Sequence, residues 1–223
     1  MKVAAESSLS DDPGRARRTQ VERRAAAEAR LLAAAREIVA RKGWVGMTLA
    51  EVGEAAGYSR GLAAHHFGSK PALLRALAAH INDNFMAELD RSPPASEGMA
   101  SLLSFVDVYL GRTDPRWTNT RALLVLLAEA TTDDSETGEG LARYNQGVID
   151  FLALHFGAAI AAGQLRDGVD GPTCAAILLG ALRGVMLQSL LKNSEIDLRA
   201  VRQELRIMIV RSFARDPAAW DHP

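Results

Sequence analysis

With 223 residues, 48% of them apolar, and a net charge of −1, the chain can form one large domain or two small ones around a sizeable core, and it is not a disordered polymer. Its one cysteine, Cys174, excludes an intrachain disulfide and a cysteine zinc cluster. It lies in the apolar run CAAILLGAL and reads as a buried, inert thiol.

No uninterrupted apolar stretch reads as long enough to span a bilayer, and the first residues lack the apolar core of a signal peptide. The expectation is a cytoplasmic protein without a membrane partner. The small net charge conceals an asymmetry: Pro13 to His80 holds 12 Lys+Arg against 5 Asp+Glu, while Ile81 to the end holds 13 against 19. A basic first third joined to an acidic remainder points to a polyanion-binding module attached to something else.

In chain order, residues 1–20 read as a disordered arm ending in the basic cluster Arg15, Arg17 and Arg18. A first helix is predicted from about Val21 to Lys42, because Leu31, Ala35, Ile38 and Val39 recur at helical spacing. Gly43 stops it, and Arg41 and Lys42 suit its negative end. Thr48 and Glu51 have capping-box spacing at the start of a second, short helix that ends at Gly57. Ser59 is placed to cap a third helix running to about Phe67, and Ser69 to cap a fourth, with Pro71 in its first turn. Two short helices around a glycine turn, flanked by long ones, have the form of a helix-turn-helix unit.

Beyond Pro93-Pro94 the pattern stays helical: near 96–110, 118–130, 140–162, 172–192 and 197–214, with 131–140 as a polar loop. The 172–192 segment is apolar almost all round and carries Ala176, Gly180 and Gly184 at four-residue spacing, followed by Leu187. A helix of that kind must be covered on every side. Together with the stripe Val201, Leu205, Met208 and Phe213 of the last segment, it suggests a homodimer interface. There is no strand pattern, so the fold class is all-α.

From Arg30 to about Leu77 the chain resembles the DNA-binding domain of TetR-family transcriptional regulators. The resemblance rests on Ala33–Ile38, Gly43 to Thr48, Leu49-Val52-Ala55-Ala56-Gly57, Ser59-Arg60-Gly61-Leu62 and His65-His66-Phe67-Gly68-Ser69-Lys70. It implies an N-terminal three-helix DNA-binding domain over 21–68, a connecting helix over 69–90, and a larger helical ligand-binding and dimerisation domain over 91–223. It also implies that the third helix enters the major groove. Thr48, Ser59, His65 and Lys70 would hold phosphates or the groove edge, and Arg60, Gly61 and Leu62 would face the bases. The chain departs from the family at Ala64, where many members carry a phosphate-contacting tyrosine; His65 and His66, or the N-terminal arginines, are the candidates to compensate.

The adjacent pair His65-His66 also invites a metal reading. Neighbouring helical residues point about 100° apart, however, and chelation from one helix prefers i and i+4. No metal and no cofactor is expected. Two arrangements of the pair stay open: both histidines on DNA, or His66 tucked against the fourth helix with His65 alone exposed. The basic arm either follows the DNA backbone or minor groove, or stays unbound. In the larger domain, polar or aromatic residues within apolar helices are candidates to line an effector pocket: Tyr109, Trp117, Tyr144, Asn145, Phe151, His155 and Gln188.

The function expected is a homodimeric regulator of a near-palindromic operator, a repressor released by a small-molecule effector. No nucleophile elbow, phosphate loop or paired carboxylates mark an enzyme. The competing readings are a helical adaptor that binds protein, or an enzyme with an incidental helix-turn-helix.

Overall fold

The structure is a computed structural model describing residues 19–91, 97–111, 116–132 and 135–220. The first eighteen residues, the Pro93-Pro94 break and part of the 131–140 loop fall outside them. Helix α1 (Gln20–Lys42) is followed by α2 (Leu49–Ala55), α3 (Leu62–Phe67) and α4 (Lys70–Arg91). The larger part contains α5 (Met99–Leu110), α6 (Thr118–Ala130), α7 (Glu136–Ala161), α8 (Gly171–Ser189) and α9 (Leu198–Phe213), then a 3-10 turn at Pro217–Trp220. The extended pairing among the described residues is a single antiparallel bridge between Leu165 and Ala214.

Caps explain several of the ends. Thr19 accepts the Glu22 N–H at 3.2 Å, and Glu22 reaches back to the Thr19 N–H at 2.8 Å, so a complete capping box opens α1. Its N-cap, Thr19, lies inside the segment expected to be an unstructured arm. Asp170 and Asp197 cap α8 and α9 through their carboxylates, each satisfying orphan N–H groups. Helix α7 begins at Glu136, earlier than the expected start near Gly140, because Ser135 caps it by accepting the Thr137 N–H at 3.2 Å.

The packing forms two apolar clusters, and neither stops at the expected boundary between domains. One unites Phe85 at the end of α4 with α5, α7, α8 and the end of α9. The other holds the first three helices together with Leu73, Leu74, Leu77 and Ile81 of α4. It is completed by Ala122, Leu123 and Leu126 of α6 and Leu141 of α7. The N-terminal helices therefore share their core with α6. Polar contacts follow the same seam, with the Arg36 guanidinium donating to Asn119 Oδ1 at 3.1 Å.

Helix α8 corrects one expectation from the sequence, since by length and composition alone it is apolar enough to cross a membrane. Its packing accounts for that character. One side, with Ala175, Leu178, Leu182 and Met186, is buried in the core of the larger part. The other side carries Ala176, Ile177, Gly180 and Leu187 at the surface.

Candidate nucleic-acid interface

The second and third helices are held by backbone contacts that leave one face free. Thr48 Oγ accepts the Glu51 N–H at 3.1 Å, but the Glu51 carboxylate turns to Lys42 Nζ at 2.8 Å instead of back to Thr48. The reciprocal box expected there is half formed, because a cation at the end of α1 competes for the acid. That hydrogen bond holds the Glu51 carboxyl below its ordinary range. Gly57, at φ +78°, makes the left-handed turn that a side chain would resist. The Tyr58 N–H then closes on Gly53 O at 2.9 Å.

Ser59 does not cap α3 with its side chain. Its carbonyl accepts the Leu62 N–H at 3.1 Å, and α3 begins at Leu62 with Gly61 at the N-cap. Ser59, Arg60 and Gly61 thus form a turn pressed against α2, and the helix is shorter than expected.

Ser59, Arg60, Gly61, Ala64, His65 and Gly68 are exposed along this turn and helix, and Thr48 is exposed beside them. The Arg60 side chain is 75% exposed and pairs with Glu54 at 3.4 Å, a contact weak enough to exchange for another acceptor. Leu62 is half-buried against the N-terminal core. Lys70 is more constrained than the sequence suggests. Its ammonium donates to Val45 O at 2.7 Å and stands 5.3 Å from the centre of the Trp44 ring. Burial lowers its pKa, and the nearby Glu129 carboxylate opposes that shift.

The two histidines are not equivalent. His66 has 9% of its side chain exposed, with Nε2 3.1 Å from Glu28 Oε2 of α1 and its ring edge-on to Phe67 at 4.7 Å. Its imidazole nitrogen faces α1 through Glu28. His65 has no such contact and faces outward. Among the described residues, no group of histidine, cysteine and carboxylate side chains is arranged to hold a metal ion. His66→Ala is expected to cost about 1 kcal/mol of stability, the net worth of a hydrogen bond. His65→Ala should stay within about 0.5 kcal/mol, as surface changes do. Paired urea denaturation curves would check both, and equal losses would contradict this division.

The residues picked out as effector contacts separate into groups. Tyr109 stacks on Phe105 at 5.9 Å, Phe105 meets Phe151 at 6.1 Å, and Phe151 meets His155 edge-on at 4.7 Å. These rings are packed into or onto the core of the larger part. Burial pushes the His155 pKa down, against the pull of Glu97. Trp117 stands at the N-cap position of α6 in a left-handed conformation, φ 50°, with no side-chain capping bond, a backbone unfavourable for a bulky residue. Tyr144 is half-buried against the N-terminal core, and Gln188 faces outward. Asn145 alone of the seven lines an open groove of about 510 Å³ between α6, α7 and α8, with Leu124, Leu127, Thr131, Arg183 and Leu187. Arg183 was missed from sequence, although a lone cation inside an otherwise apolar helix was the available signal.

The positions read as a dimer surface also divide. Ala176, Gly180, Leu187 and Met208 are exposed, and nothing lies within 4 Å of where a β-carbon on Gly180 or Gly184 would stand. Val201 and Leu205 lie half-buried against the chain's own core, and Phe213 meets Phe156 edge-on at 5.6 Å.

Comparison with known proteins agrees with this architecture. Residues 31–77 match the family model described as bacterial regulatory proteins, tetR family. The chain is 29% identical over 193 residues to the HTH-type transcriptional regulator CymR of Pseudomonas putida, covering 83% of this chain and 90% of that one. Its fold is similar to that of a TetR-family regulator from Rhodococcus sp., with a TM-score of 0.75 at 23% identity, covering 85% of this chain and all of that one. It is also similar in fold to AibR, solved with isovaleryl coenzyme A and operator DNA, with a TM-score of 0.65 at 20% identity, covering 82% and 97% of the two chains. The helix-turn-helix at 48–67, the larger helical part behind it and these similarities lead to one conclusion: residues 31–77 form a DNA-binding domain of the TetR type, in a chain that is similar over most of its length to an HTH-type transcriptional regulator.

Proposed function

We propose that the protein acts as a homodimeric repressor whose grip on a near-palindromic operator is released by a small-molecule effector. The observation that carries this reading is the shared core: α6 completes the packing of the N-terminal helices and also forms one wall of the groove holding Arg183. A ligand in that groove would touch a helix on which the DNA-reading unit rests. It can release DNA only by binding the two states with different affinity.

On the DNA side, Arg60 would reach base edges, and Thr48, Ser59 and His65 would meet phosphates, with Gly61 and Leu62 setting the approach of the turn. Lys70 donates one N–H to Val45 and has two more to offer a phosphate. His66 contributes by fixing α3 on α1. Two copies of α3 would enter successive major grooves about 34–36 Å apart. The exposed small-residue and apolar face of α8, with Met208 of α9, would meet its counterpart on a second chain. The regulatory reading is favoured over a catalytic one because the relative that aligns over most of the chain is a regulator. The cell interior is the site of action this implies.

Selection of bound sequences from random DNA by the purified protein tests the proposal. A two-fold symmetric consensus is expected, and absence of any sequence preference at moderate salt would sink it. Against the selected site, Arg60→Ala should lose about 1–3 kcal/mol and relax one base position. Lys70→Ala should weaken all sequences alike and lower the salt slope by about 1. A gel-shift titration at several salt concentrations separates the two.

A further inference from the structure

We infer that the groove between α6, α7 and α8 is built for a small monocarboxylic acid with an apolar body, its carboxylate held by Arg183 and Asn145. This rests on the effector reading above and names the chemistry of the ligand.

The walls are mainly aliphatic, from Leu124, Leu127 and Leu187, with Ala142 on α7. Into this lining α8 projects one cation. The Arg183 Nη1 donates to Asn145 Oδ1, while its Nε is buried and has no hydrogen-bond partner. Among the described residues no carboxylate forms an ion pair with Arg183, although other arginines of the larger part, such as Arg206 on Asp107 and Arg215 on Asp167, have one. Among the described residues, this partly desolvated guanidinium is bonded only to a neutral amide and meets no counter-charge.

The donor geometry narrows the choice of anion. Because a guanidinium can only donate, Asn145 must turn its oxygen to Arg183, which leaves the amide N–H groups free to donate elsewhere. A planar guanidinium beside an amide N–H matches the two oxygens of one carboxylate. A phosphate monoester would bring close to two negative charges against this one cation, and a cationic ligand would be repelled. A neutral ligand would leave the guanidinium as it stands. Beside Arg183, Gly184 meets nothing where its β-carbon would be, so the groove stays open next to the charge. Gly184 and Leu187 also border the exposed face of α8, and a second copy seated there would close the mouth.

The test is calorimetric titration of the full-length protein with octanoate, benzoate and 3-phenylpropionate, each paired with its primary amide, and with phenyl phosphate. At least one acid is expected to bind once per chain and about tenfold or more tighter than its amide. Arg183→Gln should remove that preference and leave any amide binding unchanged. Leu127→Trp, which fills the groove, should block the acid while Arg183 remains in place. The inference is overturned if no acid binds at low millimolar concentration, if acid and amide bind alike, if phenyl phosphate binds tightest, or if a folded Arg183→Gln protein keeps its affinity for the acid. Should that variant fail to fold, as judged by thermal melting, the acid–amide comparison and Leu127→Trp still decide. An acid that binds in this way but leaves operator affinity unchanged supports the site and removes the release mechanism. Release by a ligand indifferent to Arg183 does the opposite.

Discussion

Gly53→Ala is expected to abolish operator recognition while leaving the larger part of the molecule folded. A β-carbon at this position would stand 2.6 Å from Ser59 O, 3.4 Å from Ser59 C and 3.5 Å from Arg60 Cα. All three are backbone atoms, so no rotamer change relieves the clash, and the turn carrying Arg60 has to move away from α2. The Tyr58 N–H bond to Gly53 O, at 2.9 Å, belongs to the same contact and would be strained with it. Overpacking of this kind costs about 1–3 kcal/mol, which in a protein of this size lowers Tm by several degrees. The larger effect is geometric, since α3 and its preceding turn present the exposed polar groups as a unit. Gel shifts on the selected operator should show at least about a tenfold loss, equivalent to 1.4 kcal/mol. Unchanged affinity would show that α2 and the turn need not approach so closely.

The second large effect is expected at a residue outside the helix-turn-helix. Leu126 of α6 is fully buried in the N-terminal cluster. Leu126→Ala should destabilise the protein by about 2–5 kcal/mol, the range for truncating a core leucine. The loss should fall on the DNA-reading end: hydrogen exchange of α1 and α4 amides should accelerate more than that of α5 and α8. Uniform acceleration throughout the chain would mean that the two clusters unfold together. Protection of α1 left unchanged would show that α6 is dispensable to the N-terminal core. The same packing indicates that a fragment ending at the close of α4 would expose the surface that Leu123 and Leu126 now cover.

The elements most legible in the sequence were those set by local rules. Thr48 caps α2, the glycines at 43, 57 and 68 take positive φ at the turns, and Ser69 Oγ accepts the Ala72 N–H at 3.3 Å at the start of α4. Local reasoning failed where two local signals competed. Thr19 has capping-box spacing to Glu22 at the start of the expected first helix, yet it reads with the arginines before it as the end of the arm. Ser59 has the chemistry of an N-cap, but a turn packed against Gly53 uses its carbonyl first. Other features were out of reach because their partners are distant in sequence. Glu28 meets His66 across 38 residues, and Glu129 accepts the Trp44 N–H across 85, at 3.2 Å. The candidate effector residues were chosen as polar or aromatic groups in apolar helices. That criterion cannot distinguish a ring in the core, such as Tyr109, from a side chain lining a groove, such as Asn145. Arg183 became evident only when the described residues around it showed no carboxylate partner.

The meeting of Trp44 with Glu129 and Lys70 has an optical consequence. The indole stands at the seam between the DNA-reading end and α6, with an ammonium 5.3 Å from its ring centre and a carboxylate on its backbone N–H. Trp117 and Trp220 lie away from that seam, against the core of the larger part. Any tilt of α1 and α4 relative to α6 would change the charges around one indole and spare the other two. The protein thus contains an intrinsic fluorophore positioned at the joint itself, and the emission of a Trp117→Phe/Trp220→Phe protein would follow the motion of that joint without an attached dye.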